Sequence, residues 1–267
     1  MNYRMQIGRF THQLGLFLSN VASFIVNLTT VIMKPDDLLE FTRHNYNKKE
    51  VQENWGNEDY LSEGLSSSER DLLSKVPLNE GRLLLLCLGA GREAIALAQM
   101  GFEVAGVDFV PEMVSRAKKY ADSQGVTLEA LIQDITHLEV THGSFDLVWC
   151  TNEIYSFIPT RTKRLAILTT IADTLKPEGY FLCSFRLDSQ TNPNRFTEII
   201  RKVLAFATGN FWYEVGDSFT SHEFIHSFLS VGEIEAEFTQ GGFEVLYFDK
   251  SGNAVLRKRG TNLFLQS

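Results

Sequence analysis

The sequence predicts an α/β fold: a doubly wound, mostly parallel seven-stranded sheet with an antiparallel C-terminal hairpin, an N-terminal helical segment and a cap insertion. From Gly81 onward, short apolar runs alternate with longer segments of helical periodicity. Their intervals fit right-handed crossovers between parallel strands. The first run, residues 82–88, is apolar almost throughout, which is typical of a strand buried on both faces.

Residues 1–33 are expected to form an amphipathic helical extension. No formally charged residue lies between Phe10 and Met33 if His12 is neutral. Uncharged polar residues recur on one side of the helix, which a membrane span would not need. We expect this helix to pack on its own domain or on a second subunit, or to contact a membrane peripherally. A true span and an extension upstream of the functional start both stay open.

Residues 34–80 are polar and aromatic, and they predict a lid or linker. Tyr46, Trp55 and Tyr60 are placed to close over a ligand, or else to anchor the N-terminal segment. Ser66, Ser67 or Ser68 can cap one short helix that Pro77 ends.

The core domain is expected to run over residues 81–267. Strands are predicted at residues 82–88, 102–107, 126–132, 145–151 and 180–185, and helices at 92–100, from Pro111 to Gly125, and at 160–175. The strand rhythm then breaks, so residues 190–228 are interpreted as a cap insertion. A helix at 233–240 and a hairpin formed by 243–248 and 253–257 close the domain.

Composition and charge exclude several classes of protein. Hydrophobic residues make up 44% of the 267, which excludes disordered and collagen-like chains. The chain carries 25 Lys and Arg against 33 Asp and Glu, a net charge of −8, which argues against a nucleic-acid partner. The three cysteines lie in apolar runs and predict a reduced, cytoplasmic protein. His222 and His226 have no evident third ligand, so no metal site is expected.

Two glycines between the first strand and the first core helix indicate a ligand site. Gly89 permits a tight turn, and Gly91 lets backbone approach a ligand at the helix N-terminus. Asp108 ends the next strand, where it could accept hydrogen bonds from both hydroxyls of a ribose. Together these residues predict a nucleoside-containing ligand; the alternative is that the glycines only shape the turn and Asp108 only caps the following helix. Because Gly89-x-Gly91-x-x-Ala94 also satisfies the dinucleotide fingerprint, a nicotinamide or flavin enzyme fits this motif as well.

From Gly81 to about Arg257 the sequence resembles the class I S-adenosylmethionine-dependent methyltransferases. Six segments in family order carry the resemblance: Leu-Cys-Leu-Gly-Ala-Gly-Arg-Glu-Ala (86–94), Gly-Val-Asp-Phe-Val-Pro-Glu-Met (106–113), Gln-Asp-Ile (133–135), Phe-Asp-Leu-Val (145–148), Leu-Lys-Pro-Glu-Gly-Tyr (175–180) and Gly-Gly-Phe-Glu-Val (241–245). The resemblance implies S-adenosyl-L-methionine as cofactor.

The resemblance also assigns roles to individual residues. It places Gly89 and Gly91 under the methionyl part of the cofactor, Asp108 on the ribose, Phe109 and Met113 on the adenine face, Asp134 and Ile135 on the adenine edge, and Thr151 and Asn152 facing the transferring methyl. The chain departs from the family pattern at Cys87, where an acid is usual, and at Glu93, where a third glycine is usual. Glu93 could supply a carboxylate to the cofactor's amino group, or it could only favour the helix dipole.

The expected function is S-adenosylmethionine-dependent methyl transfer to a small-molecule acceptor with an oxygen or nitrogen nucleophile. Glu153 and Tyr155 are the candidate catalytic residues, as a base or an acceptor-orienting group. Residues 1–65 and 190–228 would cover the acceptor, where Phe211, Trp212 and Tyr213 would either suit an apolar or planar molecule or serve only in packing. An NAD(P)-dependent oxidoreductase and a non-catalytic cofactor-binding or partner protein are the alternatives.

Overall fold

The computed structural model describes residues 3–188, 195–220 and 223–260. Seven strands form one sheet in the order β3-β2-β1-β4-β5-β9-β8, and two form a separate hairpin, β6-β7. The strands are β1 Gly81–Leu86, β2 Phe102–Asp108, β3 Glu129–Ile132, β4 Phe145–Cys150, β5 Leu175–Ser184, β6 Asp217–Phe219, β7 Phe224–His226, β8 Phe243–Phe248 and β9 Asn253–Lys258. The first five strands of the sheet are parallel, and β9 pairs antiparallel with both β5 and β8. The predicted seven-stranded α/β fold is confirmed.

Helices cover both faces of the sheet and extend beyond it at the N-terminus. They are α1 Tyr3–Asn27, α2 Thr29–Ile32, α3 Pro35–Tyr46, α4 Lys49–Trp55, α5 Glu58–Ser62, α6 Ser67–Leu73, α7 Arg92–Gln99, α8 Pro111–Ser123, α9 Arg161–Thr174, α10 Arg195–Ala207 and α11 Val231–Gln240. Side chains of β1 alternate between the two cores. Leu84 and Leu86 pack with α9 and α11, whereas Leu83 and Leu85 pack with α6, α7 and α8. Burial on both faces explains the apolar run that predicted this strand.

Strand order reverses between β1 and β4, and this reversal positions the site. The chain winds outward from β1 through β2 to β3, then crosses to β4 and β5 on the other side. The loops after β1 and β4 therefore diverge and leave a crevice at the carboxyl ends of these strands.

Residues 34–80 are more ordered than the sequence predicts. In place of a linker with one short helix, the structure has four helices, α3 to α6. The predicted cap of α6 is present, because the Ser66 hydroxyl accepts from the Glu69 N–H at 3.2 Å and the Glu69 carboxylate accepts from the Ser66 N–H at 2.7 Å. Leu38, Val51 and Leu61 are buried, so these helices form a packed cover.

The insertion contains α10 and the β6-β7 hairpin, and the sequence did not predict the hairpin. His226 lies in β7, and His222 lies outside the described residues. The predicted N-terminal helix is present as α1, which buries none of its residues. Residues 3–32 are long and apolar enough to cross a membrane, with a mean hydropathy of 1.7 in the most apolar window.

Candidate functional site

A cavity of about 550 Å³ occupies the crevice at the carboxyl ends of β1, β2 and β4. The segment after β3, lid helices α3, α4 and α5, and one residue of the insertion, Glu223, supply its remaining wall. Its lining includes seven charged side chains: Arg43, Arg92, Glu93, Asp108, Asp134, Glu153 and Glu223. Carboxylates outnumber guanidinium groups five to two, so the cavity favours a ligand that carries positive charge.

The two glycines after β1 have different roles. Gly89 lines the cavity with a φ of 55°, and a Cβ at this position would meet no atom within 4 Å. A Cβ at Gly91 would lie 2.8 Å from the Ile95 Cδ1 atom, and Gly91 is absent from the cavity lining. Gly91 therefore allows α7 to pack closely, whereas Gly89 leaves open space for a ligand. The expected ligand contact at Gly91 is not seen. Cys87, also at positive φ, lines the cavity instead.

Asp108 is buried at the end of β2 and joins two loops. Its Oδ2 atom accepts from the Gly89 N–H at 2.8 Å, and its Oδ1 atom accepts from the Val110 N–H at 2.9 Å. Burial raises the pKa of this carboxyl despite both hydrogen bonds. Since a carboxylate has about four acceptor positions, Asp108 keeps capacity for hydroxyl donors from the cavity.

Glu93 lies in the first turn of α7 and is held by two donors. Arg92 donates to its Oε1 atom at 2.5 Å, and the Asn152 amide donates to the same atom at 2.8 Å. Burial raises the pKa of Glu93. Arg92 also forms a two-pronged ion pair with Glu69 at 2.7 and 2.9 Å, a contact that no local sequence signal predicts.

Asn152 lines the cavity, but Thr151 does not. The Thr151 hydroxyl donates to Glu69 Oε1 at 3.3 Å and accepts from the Trp149 indole N–H at 3.0 Å, and its side chain is buried. This placement contradicts the expected contact with the transferring methyl. Asn152 can turn into the cavity because it adopts a left-handed conformation, with a φ of 58°.

Phe109, Met113, Asp134 and Ile135, the residues predicted to contact adenine, all line the cavity. Asp134 already has several donors in this structure: Arg43 Nε at 2.7 Å, the Thr136 N–H at 2.8 Å and the Thr136 hydroxyl at 2.6 Å. Burial alone would raise the pKa of Asp134, but these hydrogen bonds and the Arg43 charge lower it. Arg43, from lid helix α3, was not predicted from the sequence.

The two candidate catalytic residues differ in placement. Glu153 lines the cavity, and its Oε2 atom is paired with Arg186 at 2.6 Å. Tyr155 is buried, its ring stacks on Phe228, and its hydroxyl donates to Glu237 at 2.6 Å. Burial raises the pKa of Tyr155 well above its ordinary value. The predicted acceptor-facing role of Tyr155 is therefore wrong.

The cover over the cavity comes from the lid helices and from one residue of the insertion. Tyr46, Trp55 and Tyr60 line the cavity as expected. The Tyr46 hydroxyl donates to Glu223 Oε2 at 3.3 Å, joining positions 177 residues apart. Burial raises the pKa of Tyr46. The predicted aromatic cap of Phe211, Trp212 and Tyr213 is wrong, because none of them lines the cavity and both Phe211 and Trp212 are exposed.

A second polar cluster attaches the insertion to α9. Glu214, Asp217 and His226 lie within 4.8 Å of one another. His226 Nδ1 is 2.8 Å from Asp217 Oδ1, and Arg164 donates to Glu214 at 3.1 Å. The Arg164 guanidinium already supplies a positive charge to this cluster, so we interpret it as an internal ion-pair network.

Comparison with known proteins identifies the domain. Residues 83–179 match the family described as a methyltransferase domain. The Bacillus subtilis protein YqeM is 31% identical over 135 residues, covering 46% of this chain and 54% of that protein. The ubiquinone biosynthesis O-methyltransferase of Cereibacter sphaeroides is 29% identical over 143 residues, covering 53% and 55%. The chain thus spans about half the length of these curated relatives.

Solved structures share the fold. The chain matches a SAM-dependent methyltransferase from Methanosarcina mazei with a TM-score of 0.57 and 19% identity, covering 73% of this chain and 99% of that one. Sheet order, crevice and acidic strand end define a nucleoside-cofactor-binding α/β domain. With the family match, residues 83–179 form a methyltransferase domain, and the fold of the chain is similar to that of S-adenosylmethionine-dependent methyltransferases.

The residues present fit the cofactor of this family. S-adenosylmethionine carries a sulfonium and an ammonium group, and the five carboxylates of the cavity lining match that charge. The open side of Gly89 leaves room beside its backbone, and Asp108 offers free acceptor positions. These features favour S-adenosylmethionine over the nicotinamide cofactor that the glycine spacing alone also allows.

Proposed function

We propose that this protein transfers a methyl group from S-adenosylmethionine to a small-molecule acceptor with an oxygen or nitrogen nucleophile. The observation that supports this most is the single cavity that joins two kinds of wall. Gly89, Glu93, Asp108, Asn152, Glu153 and Glu223 all line it, and we assign the first three to the cofactor and the last three to the acceptor side. The name of the Cereibacter relative favours an oxygen nucleophile.

The residues proposed to hold the cofactor follow the geometry of the cavity. Asp108 would bind the ribose hydroxyls, Phe109 and Met113 the adenine ring, and Glu93 the ammonium group, with Asn152 fixing the Glu93 carboxylate. Asp134 and Ile135 would bind the adenine edge. For Asp134 to accept from the adenine amine, Arg43 or Thr136 would have to give up one of its contacts with this carboxylate.

When bound, the cofactor supplies an electrophilic methyl group on sulfur. The protein's own task is to align the acceptor, exclude water and accept a proton from a hydroxyl or ammonium acceptor. Glu153 and Glu223 are the carboxylates placed for that last step. Arg186 neutralises Glu153, and Tyr46 and Thr220 hydrogen-bond Glu223 at 3.3 and 2.7 Å. We favour Glu223 as the base, because its described contacts include no cation.

We further propose that the protein acts in the cytoplasm. Cys87, Cys150 and Cys183 are unpaired thiols, which suits a reducing compartment. The N-terminal helix would then mediate contact with a membrane or with a second copy.

The test is transfer of label from methyl-labelled S-adenosylmethionine to phenolic, carboxylic and amine acceptors. Asp122→Asn, a change on the exposed face of α8, is the matched control for Glu223→Gln. We expect labelled product from the native protein and the control, and a loss of turnover of about 100-fold in Glu223→Gln with an unchanged Kd for cofactor. Cofactor binding without product from any acceptor class would favour a non-catalytic binding protein.

A further inference from the structure

Helix α1 projects a long apolar surface that the described part of the chain does not cover. All of its 25 residues are solvent-accessible, and Phe17 is 62% exposed. At about 1.5 Å per residue the helix is roughly 37 Å long. Large apolar side chains at Phe10, Leu14, Val21 and Ile25 are also exposed and share one side of the helix.

Helix α10 is amphipathic, but its apolar side faces solvent and its charged pair is turned inward. Ile199, Val203 and Phe206 are exposed, with Phe206 at 73%. In contrast, Glu198 and Arg201 are paired at 3.0 Å, and each side chain is only 14% exposed. A helix on the surface of a soluble domain normally turns its apolar side inward, so the outward apolar side of α10 indicates a partner with an apolar interior.

The two apolar surfaces meet at a fixed joint. The Thr208 hydroxyl donates to the Val31 carbonyl at 3.0 Å, and the Asn210 amide donates to the Thr30 and Met33 carbonyls at 3.0 and 2.8 Å. The Phe219 N–H donates to Asn27 Oδ1 at 2.9 Å. These hydrogen bonds fix α2, which directly follows α1, against the end of α10, and they fix the last residue of α1 against β6; we call this contact region the joint.

Exposed aromatic rings continue the surface at this joint. Phe211 contacts Phe206 and Trp212, with ring centroids 5.7 and 6.4 Å apart. Phe211 is 69% exposed. Trp side chains are favoured at the headgroup level of a bilayer, and Phe side chains are common on the apolar face of segments that lie in the membrane interface. We call α1, the outer side of α10 and these rings the α1–α10 surface.

Charge distinguishes between two partners for the α1–α10 surface, a lipid bilayer and a second copy of the chain. Residues 1–35 contain Arg4, Arg9 and Lys34 and no acidic residue, which leaves 22 basic against 33 acidic residues elsewhere. Residues 195–212 add three basic residues and one acidic residue. A positively charged apolar surface on an acidic protein complements an anionic bilayer. A second copy would instead place the same positive segments against each other.

We propose that the α1–α10 surface binds an anionic lipid bilayer. The apolar side of α1 lies in the acyl boundary, its uncharged polar side faces the headgroups, and the aromatic rings at the joint anchor the insertion at the same membrane. Only two residues separate α2 from lid helix α3. Membrane binding therefore places the lid of the cavity beside the bilayer. The inference rests on this surface alone and does not depend on methyl transfer.

The test is co-flotation of the full chain with vesicles of phosphatidylcholine plus phosphatidylglycerol, and with phosphatidylcholine alone. The variant Val203→Ser/Phe206→Ser/Trp212→Ser removes apolar area from the insertion and leaves α1 intact. Met100→Ser/Leu246→Ser is the matched control, because both residues are exposed and apolar but are not part of the α1–α10 surface. Unchanged thermal unfolding of each variant verifies folding.

We expect stronger binding to the anionic vesicles, weakened by salt, and at least about a tenfold loss of binding in the triple variant, because its side chains no longer bury apolar area. The control should bind as the native chain does. Equal partition of the native chain and the triple variant would overturn the role of α10. Failure to bind vesicles, together with a concentration-dependent dimer that the triple variant dissociates, would assign the surface to a second copy and refute the proposal.

Discussion

Replacing Asp108 with Asn tests the proposed cofactor site directly. Because this residue has both a structural and a proposed binding role, its effects on binding and on stability are measured separately. The carboxylate accepts the Gly89 and Val110 N–H groups, and its remaining lone pairs would accept two ribose hydroxyls. Hydrogen bonds to a charged acceptor contribute about 1.5–3 kcal/mol each. Asn keeps one oxygen acceptor, so the substitution removes one of these two hydrogen bonds and turns the other into a weaker neutral one, which would weaken binding by about 3 kcal/mol, on the order of a hundredfold in Kd.

The same substitution has a smaller effect on stability. An amide can accept from one of the two backbone N–H groups but presents a donor to the other, at a cost of about 1–3 kcal/mol. Part of this is offset, because burial raises the pKa of Asp108 and the ionised carboxylate is itself unfavourable there. Ala would leave both N–H groups without an acceptor, so Asn is the cleaner variant.

The assay is calorimetric titration with S-adenosylmethionine, together with thermal unfolding. Asp122→Asn should match the native protein in both measurements. Binding by folded Asp108→Asn within about threefold of the native Kd would refute the reasoning, since so small a change equals only about 0.65 kcal/mol.

Three further predictions test other contacts. Glu93→Gln should weaken cofactor binding about tenfold, measured by calorimetry, without loss of thermal stability, because burial raises the pKa of Glu93 and its charge costs stability. Asp134→Asn should lower the free energy of unfolding in urea by about 1 kcal/mol at neutral pH. The pKa of Asp134 is lowered below 3.8 in the folded protein, so this difference should be complete above pH 3.8 and vanish as pH falls through the folded pKa. Glu237→Gln should destabilise the fold by about 3 kcal/mol, because it leaves buried Arg164 poorly paired, while the cofactor Kd stays unchanged; a weakened Kd would connect that ion pair to the site.

The sheet and one wall of the cavity were predictable because their signals are local. Apolar runs marked the buried strands, and Gly89 and Asp108 stand at fixed distances from strand ends. Each of these signals depends only on residues that are close together in the sequence.

The other wall was not predictable, because it depends on contacts between distant positions. Arg43 meets Asp134 across 91 positions, and Tyr46 meets Glu223 across 177. Thr151 and Tyr155 stand close to a strand end, as acceptor-facing residues would, yet their hydroxyls turn to the buried partners Glu69 and Glu237. Chain position gave no information on which way these side chains turn.

The exposed aromatic residues were misassigned for a related reason. Phe211 and Trp212 suggest a cap by composition, but they follow the contact of Asn210 with α2 and are exposed to solvent.

The central claim is that the cavity binds S-adenosylmethionine, and calorimetric titration of the native full chain tests it most directly. We predict saturable binding of S-adenosylmethionine and of its demethylated product at one site per chain, with no heat of binding for NAD. Saturable binding of NAD without a response to the other two ligands would contradict the account.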